Sequence, residues 1–186
     1  MNARVSGGKV VKAGEQIVLG GNESYVALCR RHWSRGELAP LEIRRISSGK
    51  AVYMPLLLEA DPSREMIEKY LDSGELYALT VNGQTAAVAV VKQCGEGEWA
   101  LKNLAVAPDM QGKGYGARLL KHLFRVLSAR CDRLTVGTSA GNVAFYERFG
   151  FVRDGVIEGF FTDNYPQPIV EDGKALKDMI VLAKRL

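Results

Sequence analysis

Cysteine and histidine are scarce. Cys29, Cys94 and Cys131 make an odd number with no CxxC spacing, and His32 and His122 are the only histidines. Such a set supplies neither a disulfide framework nor the clustered ligands of a zinc site, so no metal is expected. Long apolar runs are missing too: no stretch approaches the roughly 18 consecutive apolar residues of a membrane-spanning helix. The first 20 residues place Arg4, Lys9, Lys12 and Glu15 around a short Ile17-Val18-Leu19 patch, unlike a secretory leader. The expectation is a cytoplasmic protein with no membrane partner. Charge of one sign is in excess only locally. Of a net +4, residues 1–40 contribute +3, from Arg4, Lys9, Lys12, Arg30, Arg31 and Arg35 against Glu15, Glu23 and Glu37. The remaining chain is near neutral, so nucleic acid is disfavoured as a partner, and the basic arm reads first as a solvated or packing extension.

What is present suits a globular domain. A chain of 186 residues, 47% hydrophobic and 25% charged, can bury one full core. Its most informative stretch is Gln111-Gly112-Lys113-Gly114-Tyr115-Gly116, between a strand-like run ending near Val106 and an amphipathic helix starting near Gly114. Glycines let main-chain N–H groups approach a ligand closely, and the helix start behind them offers unpaired donors and the positive dipole end. This is the chemistry of a pyrophosphate cradle. A Walker loop needs Ser or Thr after Gly-Lys, and Gly114 stands there instead. A dinucleotide fingerprint needs its third glycine one position beyond Gly116, in the chain's first βαβ unit. Neither pattern fits.

The rest of the chain supplies the setting. Residues 1–21 are glycine-rich and read as a loose arm or short strands, and 22–35 as a helix opening at Asn22. A first strand follows over Leu41–Ile46, then two short helices over 51–59 and 63–72, broken at Asp61-Pro62. Residues 75–81 and 84–92 form a hairpin about Asn82-Gly83, a type I′ signal. The strand Glu98–Val106 leads to the glycine loop. The next helix sets Leu119, Leu120, Leu123, Phe124 and Leu127 on one side, leaving His122 as a solvated helix residue. A strand over 131–139, a helix over 142–149 and a last hairpin complete the domain; the long segment 162–173 between its strands reads as a loop whose Asp163, Glu171 and Asp172 suit a cationic amine or plain solvation.

Downstream of the glycine loop stands Asn142-x-x-x-Tyr146-x-x-x-Gly150-Phe151. With Gln111-x-x-Gly114-x-Gly116 in this order, the chain resembles the GNAT superfamily of N-acetyltransferases over roughly residues 41–186, with residues 1–40 an extension. Segment 162–173 is similar to one found in uncharacterised bacterial members. The resemblance implies an α/β (α+β) fold: a central, mixed, mostly antiparallel twisted sheet of about seven strands flanked by about four helices. It implies acetyl-CoA as donor and an amine acceptor partly enclosed by the helices at 51–72. Gln111, Gly112, Lys113, Gly114, Tyr115 and Gly116 would then hold the pyrophosphate, and the backbone of Leu104, Ala105 and Val106 the pantetheine arm, one amide polarising the thioester carbonyl. Asn142 would bond that arm or cap the helix carrying Tyr146, and the Tyr146 phenol would protonate the departing sulfur as general acid.

The base is less defined. Glu98 at the start of its strand is a candidate, directly or through water, although strand-end glutamates often stay solvated. Alternation from Glu98 puts Trp99, Leu101, Asn103 and Ala105 on the opposite face. The expected activity is direct acetyl transfer to a primary amine of a small molecule or peptide. The alternative is a catalytically silent acyl-CoA-binding regulatory module. A homodimer stays open.

Overall fold

The computed structural model describes residues 40–186 in full, together with the backbone of three short strands before them. The expected helix over 22–35, Cys29 and His32 lie outside the described residues. Contacts divide the chain into Met1–Glu42 with Val81–Gln84, and Ile43–Thr80 with Thr85–Leu186. In the first unit, β1 (Arg4–Ser6), β2 (Lys9–Lys12) and β3 (Glu15–Val18) form an antiparallel meander.

The main sheet is built from β4 (Leu41–Ile46), β5 (Glu75–Val81), β6 (Gln84–Gly95), β7 (Glu98–Val106), β8 (Arg133–Thr138), β9 (Val152–Ile157) and β12 (Met179–Arg185), in the order β4-β5-β6-β7-β8-β12-β9. β6 pairs antiparallel with β7, β8 with β12 and β12 with β9, whereas β7 and β8 run parallel. The helices are α1 (Met54–Leu57), α2 (Arg64–Leu71), α3 (Tyr115–Leu127), α4 (Val143–Glu147) and α5 (Phe160–Asn164). A parallel pair needs a crossover, and α3 provides it between β7 and β8. This is the mixed, mostly antiparallel sheet expected. Among the described residues no helix is long and apolar enough to cross a membrane.

Each face of the sheet has its own core. On one, Met54, Leu57, Ile67, Tyr70 and Leu71 of α1 and α2 bury against Leu76, Ala78, Val88, Val90 and Ala105. α2 starts cleanly because the Ser63 hydroxyl accepts from the Met66 N–H at 3.2 Å. On the other face α3 buries Leu119, Leu120, Leu123 and Leu127, each fully enclosed leucine contributing about 1.5–3 kcal/mol of burial energy. Gly116 lies so close to β7 that an added Cβ would sit 3.2 Å from the Val106 methyl. Ala105 and Val106 therefore face opposite layers, as neighbours in a strand must.

Two sequence expectations change. Segment 162–173 is not one loop. It begins inside α5, which Gly159 opens at φ 66°, its N–H held by the Asp178 carboxylate at 2.7 Å. It then supplies β10 (Val170–Glu171), which pairs with β11 (Lys174–Ala175) just beyond it. Five residues are too few for a helical hydrophobic period to register. The second change concerns β7. Val90 pairs with Asn103 but Val91 with Leu101, so Lys102 is an extra residue opposite no partner. This β-bulge resets the alternation. Trp99 still turns toward the α3 side, its Nε1 donating to the Arg130 carbonyl oxygen at 3.0 Å, whereas Asn103 and Ala105 turn to α1 and α2.

Candidate active site

β7 and β8 begin together and then part. Their parallel register runs from Glu98 opposite Arg133 to Leu101 opposite Val136 and stops there. Beyond that point β7 stays paired to β6 as far as Val106 opposite Ala87, while β8 stays paired to β12 as far as Thr138 opposite Ile180. The two strands are each held by an outer neighbour and open a wedge between them. Along it, those residues of 102–106 whose main-chain N–H and C=O groups turn away from β6 find no β8 partner. Leu104 and Val106 turn their main-chain groups to this open edge, whereas Ala105 between them turns its own toward β6, in step with the Ala107 N–H that donates to the Ala86 carbonyl oxygen at 2.9 Å.

The glycine loop sits at the mouth of the wedge, between a single turn at Pro108–Met110 and α3. Gly112 and Gly114 adopt φ of 73° and 79°, the left-handed region that glycine enters at little cost, and an added Cβ at either would meet nothing within 4 Å. Space thus remains over the loop for a ligand. The first helical bond of α3 runs from the Arg118 N–H to the Gly114 carbonyl oxygen at 3.0 Å, so the preceding amides have no acceptor within the helix. Gln111 donates through its side chain to the Val106 carbonyl oxygen at 3.3 Å, fastening the loop to the strand end. Lys113 is turned back to the Asp109 carbonyl oxygen at 2.9 Å, and Tyr115 is half-buried at the helix start. Such a loop fits an anionic group of pyrophosphate size.

On the β8 side, the strand ends at Thr138 and a short turn leads into α4. Tyr146 of α4 is buried to 8% exposure between Phe145 and Phe151, with ring centroids 5.0 and 5.7 Å away. Its hydroxyl has no hydrogen-bond partner among the described residues. Burial pushes the phenol up to about 12, so it keeps its proton at neutral pH. Asn142 precedes α4 but does not cap it through its side chain, which donates to the Ser139 hydroxyl at 3.1 Å instead. Asn142 sits at φ −97° and ψ −5°, not in the extended conformation of a side-chain cap.

Glu98 lies at the opposite, closed end of β7, about four residues or roughly 13 Å before the wedge opens. Its carboxylate accepts from Arg133 Nη1 at 2.9 Å, and the same guanidinium also pairs with Asp154. The structure does not bring Glu98 together with the wedge, the loop and Tyr146. His122 is likewise elsewhere: half-buried, edge-on to Tyr77 with centroids 5.8 Å apart, its imidazole pulled down chiefly by burial and secondly by Arg125.

A hydrogen-bonded group that no local sequence signal announces lies on the α1/α2 side of β7. The Asn103 side-chain amide donates to the Leu57 carbonyl oxygen and to the Tyr70 hydroxyl, both at 3.1 Å. The Leu57 carbonyl oxygen also accepts the Asp61 N–H at 3.2 Å. Asp61 Oδ1 in turn accepts from the Ser63 N–H at 3.0 Å and from the Tyr165 hydroxyl at 3.1 Å. Burial pushes the Asp61 carboxyl up, opposed by these two donors and by Lys102. Tyr70 and Tyr165 are raised as well, burial being the largest cause for both. Asp-Pro-Ser at 61–63 was legible as a helix break. Its meeting with Tyr165 across 104 residues had no local signal.

The comparisons with known proteins bear on this arrangement. Residues 72–153 match the family model described as an acetyltransferase (GNAT) domain. The uncharacterised N-acetyltransferase YvbK of Bacillus subtilis is 30% identical over 131 residues, spanning 68% of this chain and 84% of that one. The chain belongs to the GNAT acetyltransferase family. A GNAT acetyltransferase of Elizabethkingia anophelis, solved with acetyl-CoA bound, superposes with a TM-score of 0.75 at 36% identity, covering 78% of this chain and 98% of that one. A stretch of 38 residues is also 58% identical to thymidine kinase of Legionella pneumophila, but it amounts to 20% of this chain and 18% of that enzyme, too small a share to carry that activity.

As a GNAT protein the chain is an acyl-CoA-dependent N-acyltransferase, and three of its features have chemistry that such a reaction can use. A strand edge with free amides can hold an extended arm, a loop of unpaired N–H groups can hold phosphates, and a protonated phenol can supply a proton. Among the described residues no group of three or more His, Cys, Asp or Glu side chains could hold a metal ion.

Proposed function

We propose that this GNAT protein moves an acetyl group from acetyl-CoA directly to a primary amine of a small molecule or peptide. The observation that carries the reading is the wedge between β7 and β8, with the glycine loop at its mouth and Tyr146 on its β8 side. The pyrophosphate lies on residues 111–116, where the amides of Gly112, Gly114 and Gly116 approach it, and Lys113 is free to swing from its exposed carbonyl contact. The pantetheine arm extends along the open edge of β7, spans Leu104 to Val106 and pairs with the main-chain groups of Leu104 and Val106, Ala105 being turned to β6. An N–H of that edge polarises the thioester carbonyl and stabilises the oxyanion that forms on attack. The amine lone pair makes the new C–N bond, the C–S bond breaks, and the electron pair leaves with sulfur. Tyr146 gives the sulfur its proton, which the buried phenol, pushed up to about 12, carries at neutral pH. Asn142, occupied with Ser139, acts by holding the turn that presents α4. Glu98, tied to Arg133 at the closed end, is better explained as a strand anchor than as the base.

The test is release of free thiol from acetyl-CoA in the presence of an amine panel, with the acetylated product identified by mass. Amine-dependent release supports direct transfer. Tight acetyl-CoA binding without release for any amine would overturn it in favour of a silent acyl-CoA-binding module.

A further inference from the structure

On the α1/α2 side of β7 stands a carboxylate with one oxygen engaged and the other free. Asp61 Oδ1 takes both donors, the Ser63 N–H and the Tyr165 hydroxyl, while Oδ2 has no partner among the described residues. The group is fixed relative to the open strand. The Leu57 carbonyl oxygen accepts the Asp61 N–H and the Asn103 amide together, and Asn103 stands two residues beyond the last β7–β8 pair. A carboxylate oriented in this way at a half-buried position is a receptor for a cation that brings its own hydrogens.

The surroundings restrict which cation. Tyr165 packs with Phe160 and Phe161, centroids 6.2 and 5.9 Å away, and those two rings lie 5.3 Å from each other. All three rings are half-buried, so an apolar surface continues from the carboxylate. Lys102, the bulged residue of β7, is exposed with its ammonium 5.9 Å from the Tyr70 ring centroid, and its charge reaches Asp61. A second positive charge on the acceptor would meet Lys102. An apolar skeleton would meet the rings.

We propose that Asp61 docks the ammonium of the acceptor and takes its proton on Oδ2, that Tyr165 positions this carboxylate, and that the acceptor is a monoamine on an aromatic or large apolar skeleton. The inference rests on the acetyltransferase reading above and assigns its acceptor site. The balance closes: one ammonium proton passes to Oδ2, the freed lone pair attacks the thioester carbon, and sulfur leaves with the C–S electron pair and takes the Tyr146 proton. Loss of the remaining excess proton from nitrogen and exchange with water restore Asp61 and Tyr146.

Steady-state kinetics with 2-phenylethylamine, hexylamine, methylamine and spermidine tests it on the full chain and on Asp61→Asn, Asp61→Glu and Tyr165→Phe. The two apolar monoamines should give the highest kcat/KM. Asp61→Asn should lower it about a hundredfold or more with acetyl-CoA affinity unchanged, and Asp61→Glu should recover part of the loss. Tyr165→Phe should raise the amine KM about fivefold, the effect of one hydrogen bond, with kcat nearly unchanged. Equal kinetics for Asp61→Asn and the parent, or a preference for spermidine, would overturn the proposal while leaving the acetyltransferase reading intact. Absence of turnover with every amine would overturn both. Unaltered acetyl-CoA binding in each variant separates these outcomes from a failure to fold.

Discussion

The side-chain amide of Asn103 donates to the Tyr70 hydroxyl at 3.1 Å, joining the central strand to α2 just past the point where β7 leaves β8. Asn103 is only 5% exposed, and its second donor bond goes to the Leu57 carbonyl oxygen. Replacing it with alanine strands a buried hydroxyl and removes a tie on α1. Asn103→Ala should therefore lower unfolding stability by about 1–3 kcal/mol, read from the urea midpoint. An unchanged midpoint would show that the pairing contributes nothing.

Tyr146→Phe keeps the ring that packs between Phe145 and Phe151 and removes only the hydroxyl that carries the proton. Turnover should fall by about a hundredfold or more at saturating substrates, with acetyl-CoA affinity close to the parent value, as for a donor used in the transition state. Because burial raises the phenol to about 12, Tyr146 imposes no alkaline limb on turnover until the pH nears that value. Undiminished turnover in the variant would remove Tyr146 from the mechanism.

At Gly114, φ of 79° combines with open space around a hypothetical Cβ. An L residue there is strained by about 1–2 kcal/mol whatever its size. Aspartate adds a negative charge beside the proposed phosphate position, so Gly114→Asp should weaken CoA binding at least about tenfold, measured by titration calorimetry, and the loss should shrink at high salt. Gly114→Ala carries the strain without the charge and should lose less. Equal losses for the two would argue that backbone geometry alone is at stake.

The glycine loop and Tyr146 stand out in the sequence as candidates because their signals are local: glycines ahead of an amphipathic helix, and fixed spacings around a short helix. What was hidden depends on pairing between distant segments. Counting alternation from Glu98 put Trp99 and Asn103 on one face, yet the single unpaired residue Lys102 sends Asn103 to the other. No property of Lys102 itself announces a bulge; it follows from the register against β6. Asp61 read as a helix-breaking Asp-Pro because its partner Tyr165 comes from the far end of the chain, after a helix too short to carry a period. Glu98 read as available because Arg133 becomes its neighbour only once β7 and β8 lie parallel.

At the closed end of the sheet, Arg130 grips Glu75 with two bonds of 2.7 and 2.6 Å and stacks 4.6 Å from the Trp99 ring centroid, while Arg45 approaches the same carboxylate at 3.1 Å. Glu75 opens β5 and Arg130 follows the end of α3, so the pair holds the crossover helix to the sheet from which the wedge opens. Hydrogen bonding from Arg130 is the largest influence on the carboxyl and holds it below its ordinary value of about 4.5. A depressed folded value means that the native state binds its proton less readily than the unfolded chain does. The stabilisation is therefore full above about 4.5 and is lost as the pH falls below it through the depressed value. Glu75→Gln preserves shape but not charge, and should cost about 1–3 kcal/mol near neutrality. Urea unfolding at stepped pH should show parent and variant converging in acid. A difference that stays constant across the series would mean that the carboxylate charge is not what secures α3.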